Sequence, residues 1–355
     1  VCRDLHAPCA AILRWRQLVR HAASRSVRPG KFLCFQYGAA MSTNDEAAEG
    51  GLHGETQFVD IAVNLTDLMF QGEYHGKSKH LPDMAAVIAR AAAVGCSKML
   101  LTGGNLESSR EALSLARALD PAGRSLFCTV GVHPTRCDEF TDNPEKHMET
   151  LRELIRGNLD RVVAIGEMGL DYDRTEFCSA DVQQRFFALQ LDLAREFQLP
   201  MFLHMREARA DFLRILEESR DVWKGCCGVV HSFTGTVEDA QAILSHPELS
   251  LGINGCSLKT EDNLKVLAAI PPERLLLETD APYCDIRPTH ASFAHVKTIF
   301  PSVKKPEKWS EGMQVKGRNE PCNIIQVAEV VDSVVGERCS QIALQNALTL
   351  FPKLA

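Results

Sequence analysis

The sequence lacks the features that mark a membrane protein or a disulfide-stabilised domain. None of its apolar runs approaches the ~18 residues that a membrane span requires, which predicts a soluble protein. Thirteen cysteines are present, but Cys226 and Cys227 form the only close pair and no Cys-x-x-Cys spacing occurs. Cys96, Cys128 and Cys256 lie in or beside apolar runs, where cysteine behaves as a small hydrophobic residue. This usage indicates free thiols in a reducing compartment.

An excess of positive charge is also missing. The formal net charge is −7, so binding to a polyanion through overall basicity is excluded. A nucleic-acid ligand would therefore need a local basic patch or a bound cation. The 355 residues, of which 45% are hydrophobic, can bury a sizeable core in one large domain or two smaller ones.

The first 56 residues differ from the rest of the chain. Up to Tyr37 there are seven basic side chains and a single acidic one, Asp4, which is typical of a transit peptide and would place the protein in mitochondria. Met41 opens an ordinary-looking start, which favours the alternative that residues 1–40 are upstream sequence from a gene model or an alternative start.

Residues 41–56 are small, polar and acidic, and we expect them to be disordered. The expected domains are thus an N-terminal extension over 1–56 and a folded domain over 57–355. Nuclear or cytoplasmic localisation is the expectation if residues 1–37 are not a genuine transit peptide.

From Phe58 onward, apolar runs alternate with segments of helical periodicity. Eight strands that alternate with helices imply parallel pairing and closure, so we predict an α/β fold of the (β/α)₈ barrel type. The predicted strands cover 58–64, 98–104, 126–133, 162–167, 200–204, 228–231, 249–255 and 275–280. The predicted helices cover 84–94, 107–119, 145–157, 180–197, 208–219, 237–245 and 261–268. After a lysine-rich polar loop over 301–320, two more helices, over 321–335 and 339–350, are expected to pack on the outside.

Four of these strands end in a residue that can bind a metal ion. The run from Val162 to Ile165 has no polar alternation, which indicates a strand buried on both faces, and it is followed at once by Gly166 and Glu167. A carboxylate in that place is costly unless a cation or a partner receives it. Three later strands end in the same way, in His204, His231 and Asp280. Because the carboxyl ends of barrel strands share one face, the four side chains are predicted to converge on a divalent cation.

The residue types limit the chemistry of this predicted site. Mixed carboxylate and imidazole ligands suit zinc, manganese or magnesium. Glu167 could bridge two cations roughly 3.5–4 Å apart, and Asp280 could bind a cation and accept a proton from its water. Each residue taken singly has a structural alternative, because a strand-end histidine is often only hydrogen bonded and a carboxylate there can cap the next helix. Four together make the structural alternative much weaker.

Eight short motifs follow one another along residues 57–355. They are Asp60-Ile-Ala-Val-Asn-Leu-Thr66, Thr102-Gly-Gly-Asn105, Gly131-Val-His-Pro134, Gly166-Glu-Met-Gly-Leu-Asp171, Leu203-His-Met-Arg206, His231-Ser-Phe-Thr-Gly235, Glu278-Thr-Asp-Ala-Pro-Tyr283 and Arg318-Asn-Glu-Pro321. In content and order they resemble the TatD family of metal-dependent deoxyribonucleases, which belongs to the amidohydrolase-type barrels. The insertion around Lys304–Lys316 resembles the eukaryotic TatD DNase domain-containing proteins closest to the bacterial namesake.

The resemblance implies a role for each matching residue. The implied ligands of one or two divalent cations, with Mg²⁺ ahead of Mn²⁺ or Zn²⁺, are Glu167, His204, His231 and Asp280. The implied catalytic residues are Glu167, Asp280 and His133, and the implied substrate contacts are Arg206, Asn64, Asn105 and Arg318. A guanidinium at position 206 could bind phosphate oxygens bidentately, although a salt bridge to Glu207 or Asp171 is an equal alternative. His133 could also be structural.

One position departs from the wider family pattern. Where many members carry His-x-His at the end of the first strand, this chain has Ala62 and Asn64. Alanine cannot bind a metal and asparagine is a weak neutral donor, so fewer tightly held ions are expected. Alternation turns Asp60 to the same side, which leaves a substitute ligand open.

The first functional hypothesis is therefore a divalent-metal-dependent hydrolase of ester bonds that cuts DNA, and possibly RNA. The lysines over 304–316 could guide the polyanion to the site. The alternatives are a metal-dependent amide or ester hydrolase, such as an aminoacyl-tRNA deacylase, and a non-catalytic nucleic-acid-binding relative, which Ala62 motivates. No membrane partner is expected, and a monomer is favoured.

Overall fold

Eight parallel strands form the centre of the molecule in a computed structural model that describes residues 57–355. Each strand pairs with the next one along the chain, from β1 to β8. The strands are β1 (Phe58–Val63), β2 (Cys96–Leu101), β3 (Leu126–Val130), β4 (Val162–Asp171), β5 (Met201–Arg206), β6 (Gly228–Val230), β7 (Leu249–Ile253) and β8 (Leu275–Leu277). A parallel bridge between Val63 and Ala281 brings the last strand back to the first. The predicted (β/α)₈ barrel is confirmed.

Helices follow the strands on the outside of the barrel. They are α1 (Met84–Ala93), α2 (Leu106–Leu119), α3 (Pro144–Arg156), α4 (Ala180–Phe197), α5 (Arg209–Glu218), α6 (Arg220–Trp223), α7 (Val237–Leu244), α8 (Glu261–Ala269), α9 (Ile324–Val334) and α10 (Cys339–Leu350). Side-chain caps fix several of the starts. Thr236 caps α7 and Thr260 caps α8, each through a capping box. Within residues 57–355 no helix combines the length and apolarity that crossing a membrane would need.

The interpretations of residues 1–56 as a transit peptide, upstream sequence or a disordered segment lie outside the described residues. The polar loop predicted over 301–320 contains two very short strands, Ser302–Val303 and Gln314–Val315, which pair in parallel.

The interior of the barrel is a separate apolar layer. Alternate residues of the strands supply it, among them Ile61, Phe127, Val163 and Phe202, all buried. The opposite faces of the same strands pack against the surrounding helices in the larger outer core. The apolar runs without polar alternation are explained by this arrangement, since both faces of every strand are covered.

Helix α10 corrects the expectation that the C-terminal helices pack on the outside. Its Ala347, together with Phe351 and Leu354 just beyond the helix, packs against the interior residues of the barrel. Asn346 donates to the carbonyl oxygens of Pro272 and Leu275, both at 2.8 Å, where β8 begins. The helix therefore covers the amino ends of the strands, and the opposite end of the barrel carries the loops that follow them.

Barrel closure depends on a polar contact between β1 and the segment after β8. Asp60 is fully buried, and its carboxylate accepts hydrogen bonds from the backbone N–H of Thr279 at 2.9 Å and from its hydroxyl at 2.5 Å. The backbone N–H of Asp280 donates to the carbonyl of Ala62 at 2.9 Å. These bonds occupy Asp60, so it does not replace the histidines that the wider family carries beside it.

A buried ion network joins the loop before α1 to the segment before α9. Both Nη atoms of Arg318 donate to the carboxylate of Asp83, at 2.7 and 2.6 Å, and Nη2 also donates to Glu320 at 2.8 Å. Arg90 on α1 donates to the other oxygen of Glu320 at 2.7 Å. The side chains of Arg318, Asp83 and Glu320 have no solvent exposure. Two cations thus balance two anions inside the protein.

Replacement of Arg318 by methionine is expected to destabilise the protein by about 3–5 kcal/mol, because one buried carboxylate would lose its counter-charge. The free energy of unfolding in urea measures this. The matched control is Arg117→Met, whose partner Asp160 is exposed, with an expected change below ~1 kcal/mol. Equal effects of the two substitutions would contradict the structural role of the network.

Candidate metal centre

Strand alternation carries polar side chains from the interior layer to the open end of the barrel. Three of them stand two residues beyond an interior residue: His204 follows Phe202, His231 follows Val229 and Glu278 follows Leu276. The ring of Phe202 stacks on that of His231 with centroids 4.7 Å apart. The apolar layer thus forms the floor on which the polar cluster rests.

Glu167 lies within β4 and not at its end, as the sequence predicted, because β4 continues to Asp171. The pairing register with β5 shifts between Ile165 and Met168, so the extra residue turns the Glu167 side chain into the site. Gly166 has a positive φ of 139°, and a Cβ there would collide with the carbonyl oxygen of Phe202. Only glycine fits this close approach of the two backbones.

One oxygen of Glu167 is the centre of the cluster. Its Oε1 lies 2.8 Å from Nδ1 of His204, 2.6 Å from Nε2 of His231 and 3.5 Å from Nε2 of His133. The ligand atoms of Glu167, His204 and His231 all lie within 4.8 Å of one another, a spacing that allows a shared cation.

A second group adjoins the first and contains a residue that the sequence analysis did not assign. His133, Asp171 and His204 also place their ligand atoms within 4.8 Å of one another. Nε2 of His204 lies 3.3 Å from Oδ2 of Asp171 while its Nδ1 faces Glu167, so this imidazole is common to both groups. The signal for Asp171 was available, because residues 167 and 171 are four apart on one strand and share a face.

Asp280 lies beside these groups and belongs to neither. Its Oδ1 accepts a hydrogen bond from Nδ2 of Asn64 at 2.9 Å, and its Oδ2 accepts one from the thiol of Cys284 at 3.4 Å. The four predicted ligands therefore occupy one region, but only Glu167, His204 and His231 are close enough to one another to form a group.

The charges of the cluster compensate one another. Burial alone would raise the pKa of Glu167, but His231, His133 and His204 hold it well below its usual range. Burial opposes protonation of His231, yet Glu167 and Glu278 raise its pKa. Burial raises the pKa of Asp280 to about 7.

His133 is the exception among the imidazoles. Burial lowers its pKa to about 4, so it is neutral near pH 7 and keeps one nitrogen with a free lone pair. Its Nδ1 lies 2.7 Å from the hydroxyl of Thr135, which fixes the orientation of the ring.

Behind His231 lies a second, fully buried carboxylate. Oε1 of Glu278 lies 3.6 Å from Nδ1 of His231 and accepts hydrogen bonds from the backbone N–H of Ser232 at 2.7 Å and from Asn254 at 2.8 Å. A carboxylate in this place orients a ligand histidine and increases its basicity. Glu278 belongs to a motif noted in the sequence, but no role was assigned to it there.

The residues fit a divalent cation. Both carboxylate oxygens of Asp171 and Nε2 of His204 are buried without a hydrogen-bond partner. Buried polar atoms of this kind are rare in proteins because each costs about 1–3 kcal/mol. Carboxylate and imidazole donors in one cluster suit manganese or zinc, and the carboxylates alone suit magnesium.

The family model for TatD-related DNases matches residues 59–352, which includes every strand of the barrel. The chain belongs to this family. Its fold implies the use of divalent metal, in agreement with the cluster. The TatD-related chain is 45% identical over 307 residues to the deoxyribonuclease Tat-D of Schizosaccharomyces pombe, with 84% of this chain and 96% of the relative covered.

Two further comparisons agree with the family assignment. The TatD-related chain is 37% identical over 301 residues to a protein of Pantoea vagans named 3'-5' ssDNA/RNA exonuclease TatD, covering 82% of this chain and 98% of the relative. The crystal structure of a TatD family hydrolase from Entamoeba histolytica matches with a TM-score of 0.79 at 36% identity, covering 84% of this chain and 98% of the other.

The residues proposed as substrate contacts from the TatD resemblance are placed differently from one another. Asn64 lines the cleft beside Glu167 but donates to Asp280. Asn105 also lines the cleft, where it caps α2 and donates to Glu139 at 2.7 Å. Arg206 is 41% exposed and pairs at 2.6 Å with Asp173, so the salt-bridge alternative is right in kind but not in partner.

Arg318 requires a correction. Its side chain is fully buried in the ion network with Asp83 and Glu320, and it offers no surface to a substrate. Its motif therefore contributes to the folding of the C-terminal segment and not to the cleft.

The cleft itself has a volume of about 610 Å³ and opens over the cluster. Besides Glu167 and His133, its lining includes two arginines that the sequence analysis did not single out, Arg136 and Arg174, and the ring of Tyr283. These side chains are the cationic and aromatic groups that an incoming anion would meet first.

Replacement of Glu278 by glutamine is expected to weaken Mn²⁺ binding about 10–100-fold, because the amide cannot supply the charge that increases the basicity of His231. Isothermal titration of the metal-free protein with Mn²⁺ measures the affinity. The matched control is Glu273→Gln, an exposed position at the other end of the same strand. Unchanged affinity in Glu278→Gln would show that the buried carboxylate does not support the metal site.

Proposed function

We propose that this protein is a divalent-metal-dependent deoxyribonuclease that hydrolyses phosphodiester bonds. The observation that carries the proposal is the group formed by Glu167, His204 and His231 at the carboxyl end of the barrel. It stands in a chain of the TatD-related DNase family, and relatives across most of its length are named as deoxyribonucleases or as an exonuclease of single-stranded DNA and RNA. An amide or ester hydrolase and a non-catalytic binding protein have no comparable support.

In this proposal Glu167, His204 and His231 hold the cation, and His133 with Asp171 offers a neighbouring position. A bound divalent cation would lower the pKa of water and neutralise charge on a phosphate group. Asp280 lies close enough to receive a proton from an attacking water, while Asn64 fixes one of its oxygens. His133 is neutral and buried, and it can donate or accept a hydrogen bond next to the scissile phosphate.

The shared imidazole limits the number of cations. A neutral imidazole has one nitrogen with a free lone pair, so His204 can bind a cation on its Glu167 side or on its Asp171 side, but not on both. We propose one tightly held ion, with the other position filled more weakly. Magnesium is the proposed working ion, although the imidazoles favour manganese or zinc in affinity.

The substrate contacts follow from the exposed cations around the cleft. Arg206 can exchange Asp173 for a phosphate, since both side chains of the pair are nearly half exposed. Arg136 and Arg174 lie in the cleft lining and present further guanidinium groups. We propose DNA as the substrate, with RNA as a competitor, and a monomer that acts in the nucleus or cytoplasm.

Purified protein is expected to degrade end-labelled single-stranded DNA in the presence of Mg²⁺, and to lose this activity with a chelator. Glu167→Gln and Asp280→Asn are each expected to reduce the rate at least ~100-fold, as expected for loss of a cation ligand or a general base. Asp181→Asn, an exposed change on α4, is the matched control. Cleavage that persists in both site variants would indicate a contaminating nuclease. Turnover of an aminoacyl ester without DNA cleavage would favour the alternative hydrolase.

The loop over 301–320 provides a second test of the substrate class. Lys304, Lys305 and Lys308 are exposed and form no salt bridge among the described residues, and the loop follows the strand that leads to Asp280. Changing all three to glutamate is expected to weaken single-stranded DNA binding and to reduce its salt dependence by about 0.7 in logarithmic slope per lost phosphate contact. Fluorescence anisotropy over a range of salt concentrations measures both.

The matched control for the lysine variant is Lys224→Glu, which lies before β6 at the amino end of the barrel. It is expected to leave both affinity and slope unchanged. An effect of equal size per charge would mean that the lysine loop attracts DNA only through net charge.

A further inference from the structure

Two cysteines lie next to each other at the rim of the cleft. Cys256 belongs to the short turn Gly255–Leu258 after β7, and Cys284 lies in the loop after β8, four residues beyond Asp280. A Cβ at Gly255 would collide with the carbonyl oxygen of Cys284, so the two backbone segments are in contact. Both cysteines are partly exposed, so a small solute can reach them.

The two thiols interact directly with one another, and they are not equivalent. The interaction with Cys284 lowers the pKa of Cys256 to about 6, with burial opposing and Lys259 assisting, while the pKa of Cys284 is raised. Cys256 is thus the better nucleophile of the two, since the thiolate is the reactive form. The buried thiols Cys96 and Cys137 differ, because burial raises their pKa values.

Cys284 also connects this pair to the proposed active site. Its thiol donates to Oδ2 of Asp280 across 3.4 Å. Any reaction that consumes the hydrogen of this thiol therefore removes one of the two hydrogen bonds that position the carboxylate.

We propose that Cys256 and Cys284 form a redox-modifiable dithiol site, in which a peroxide converts the two thiols into an intramolecular disulfide. The thiolate of Cys256 attacks one oxygen of hydrogen peroxide, giving a sulfenic acid and hydroxide, which takes up a proton. The sulfur of Cys284 then attacks the sulfenic sulfur, a disulfide bond forms and water leaves. In sum, two thiols and one peroxide give one disulfide and two waters. A dithiol reductant reverses the reaction.

The consequence for activity rests on the proposed function. A disulfide holds its sulfur atoms about 2.05 Å apart, so Cys284 must move toward Cys256 and away from Asp280. Asp280 then loses a hydrogen bond to its carboxylate, and its rim segment shifts. Nuclease activity is expected to fall about tenfold, the size expected for one hydrogen bond to a charged group.

The test treats the full-length protein with hydrogen peroxide, blocks the remaining thiols and maps the peptides without reduction. The expected result is a linked pair of peptides containing Cys256 and Cys284 that disappears after dithiothreitol. DNA cleavage is measured on the same samples. Cys256→Ser keeps the contact between Cys284 and Asp280, so its activity is expected to resist peroxide. Cys227→Ser, an exposed cysteine before β6, is expected to remain as sensitive as the unaltered protein.

The outcomes separate the dithiol site from the nuclease proposal. Absence of the linked peptides after peroxide overturns the dithiol site, whatever the activity does. A linked pair in a protein that cleaves no DNA supports the dithiol site and contradicts the nuclease. A linked pair with unchanged cleavage overturns the proposed effect on Asp280. Loss of activity to the same extent in Cys256→Ser would assign the sensitivity to another residue.

Discussion

The carboxylate of Glu167 is the group on which the organisation of the site depends. It lies among three imidazoles at the mouth of an apolar barrel, where an unpaired anion would be strongly disfavoured. The pairing is mutual, because each imidazole that lowers the pKa of Glu167 is itself stabilised by that charge. Such a cluster holds its geometry only while every member is present, and a divalent cation can take over the role of the protons.

The barrel supplies this geometry through simple repetition. Each strand places an apolar residue in the interior layer and then, two residues later, a polar residue at the open end. The exception is β4, where a register shift and Gly166 bring Glu167 into a place that regular alternation would not give it. The central residue of the site therefore lies at the irregular position of the sheet.

Much of this arrangement follows from the sequence, and the remainder depends on contacts between distant residues. Apolar runs with helical segments between them were enough to predict the barrel, because strand and helix periodicities differ. The strand ends also identified His204 and His231. The continuation of β4 to Asp171 was not visible, because Gly166 and Gly169 interrupt the apolar run and suggest an end. The burial of Arg318 was not visible either, since its partner Asp83 is remote in sequence.

Closure of the barrel has a consequence for biosynthesis. Asp60 on the first strand bonds to Thr279 after the last one, and Asn64 bonds to Asp280. The ribosome releases these partners more than 200 residues apart, as the sequence separation of 216 between Asn64 and Asp280 shows. A nascent chain cannot assemble the rim until its final strand has emerged. The protein thus stays inactive throughout its own translation, and a truncated product that ends before β8 carries cation ligands without a finished cleft.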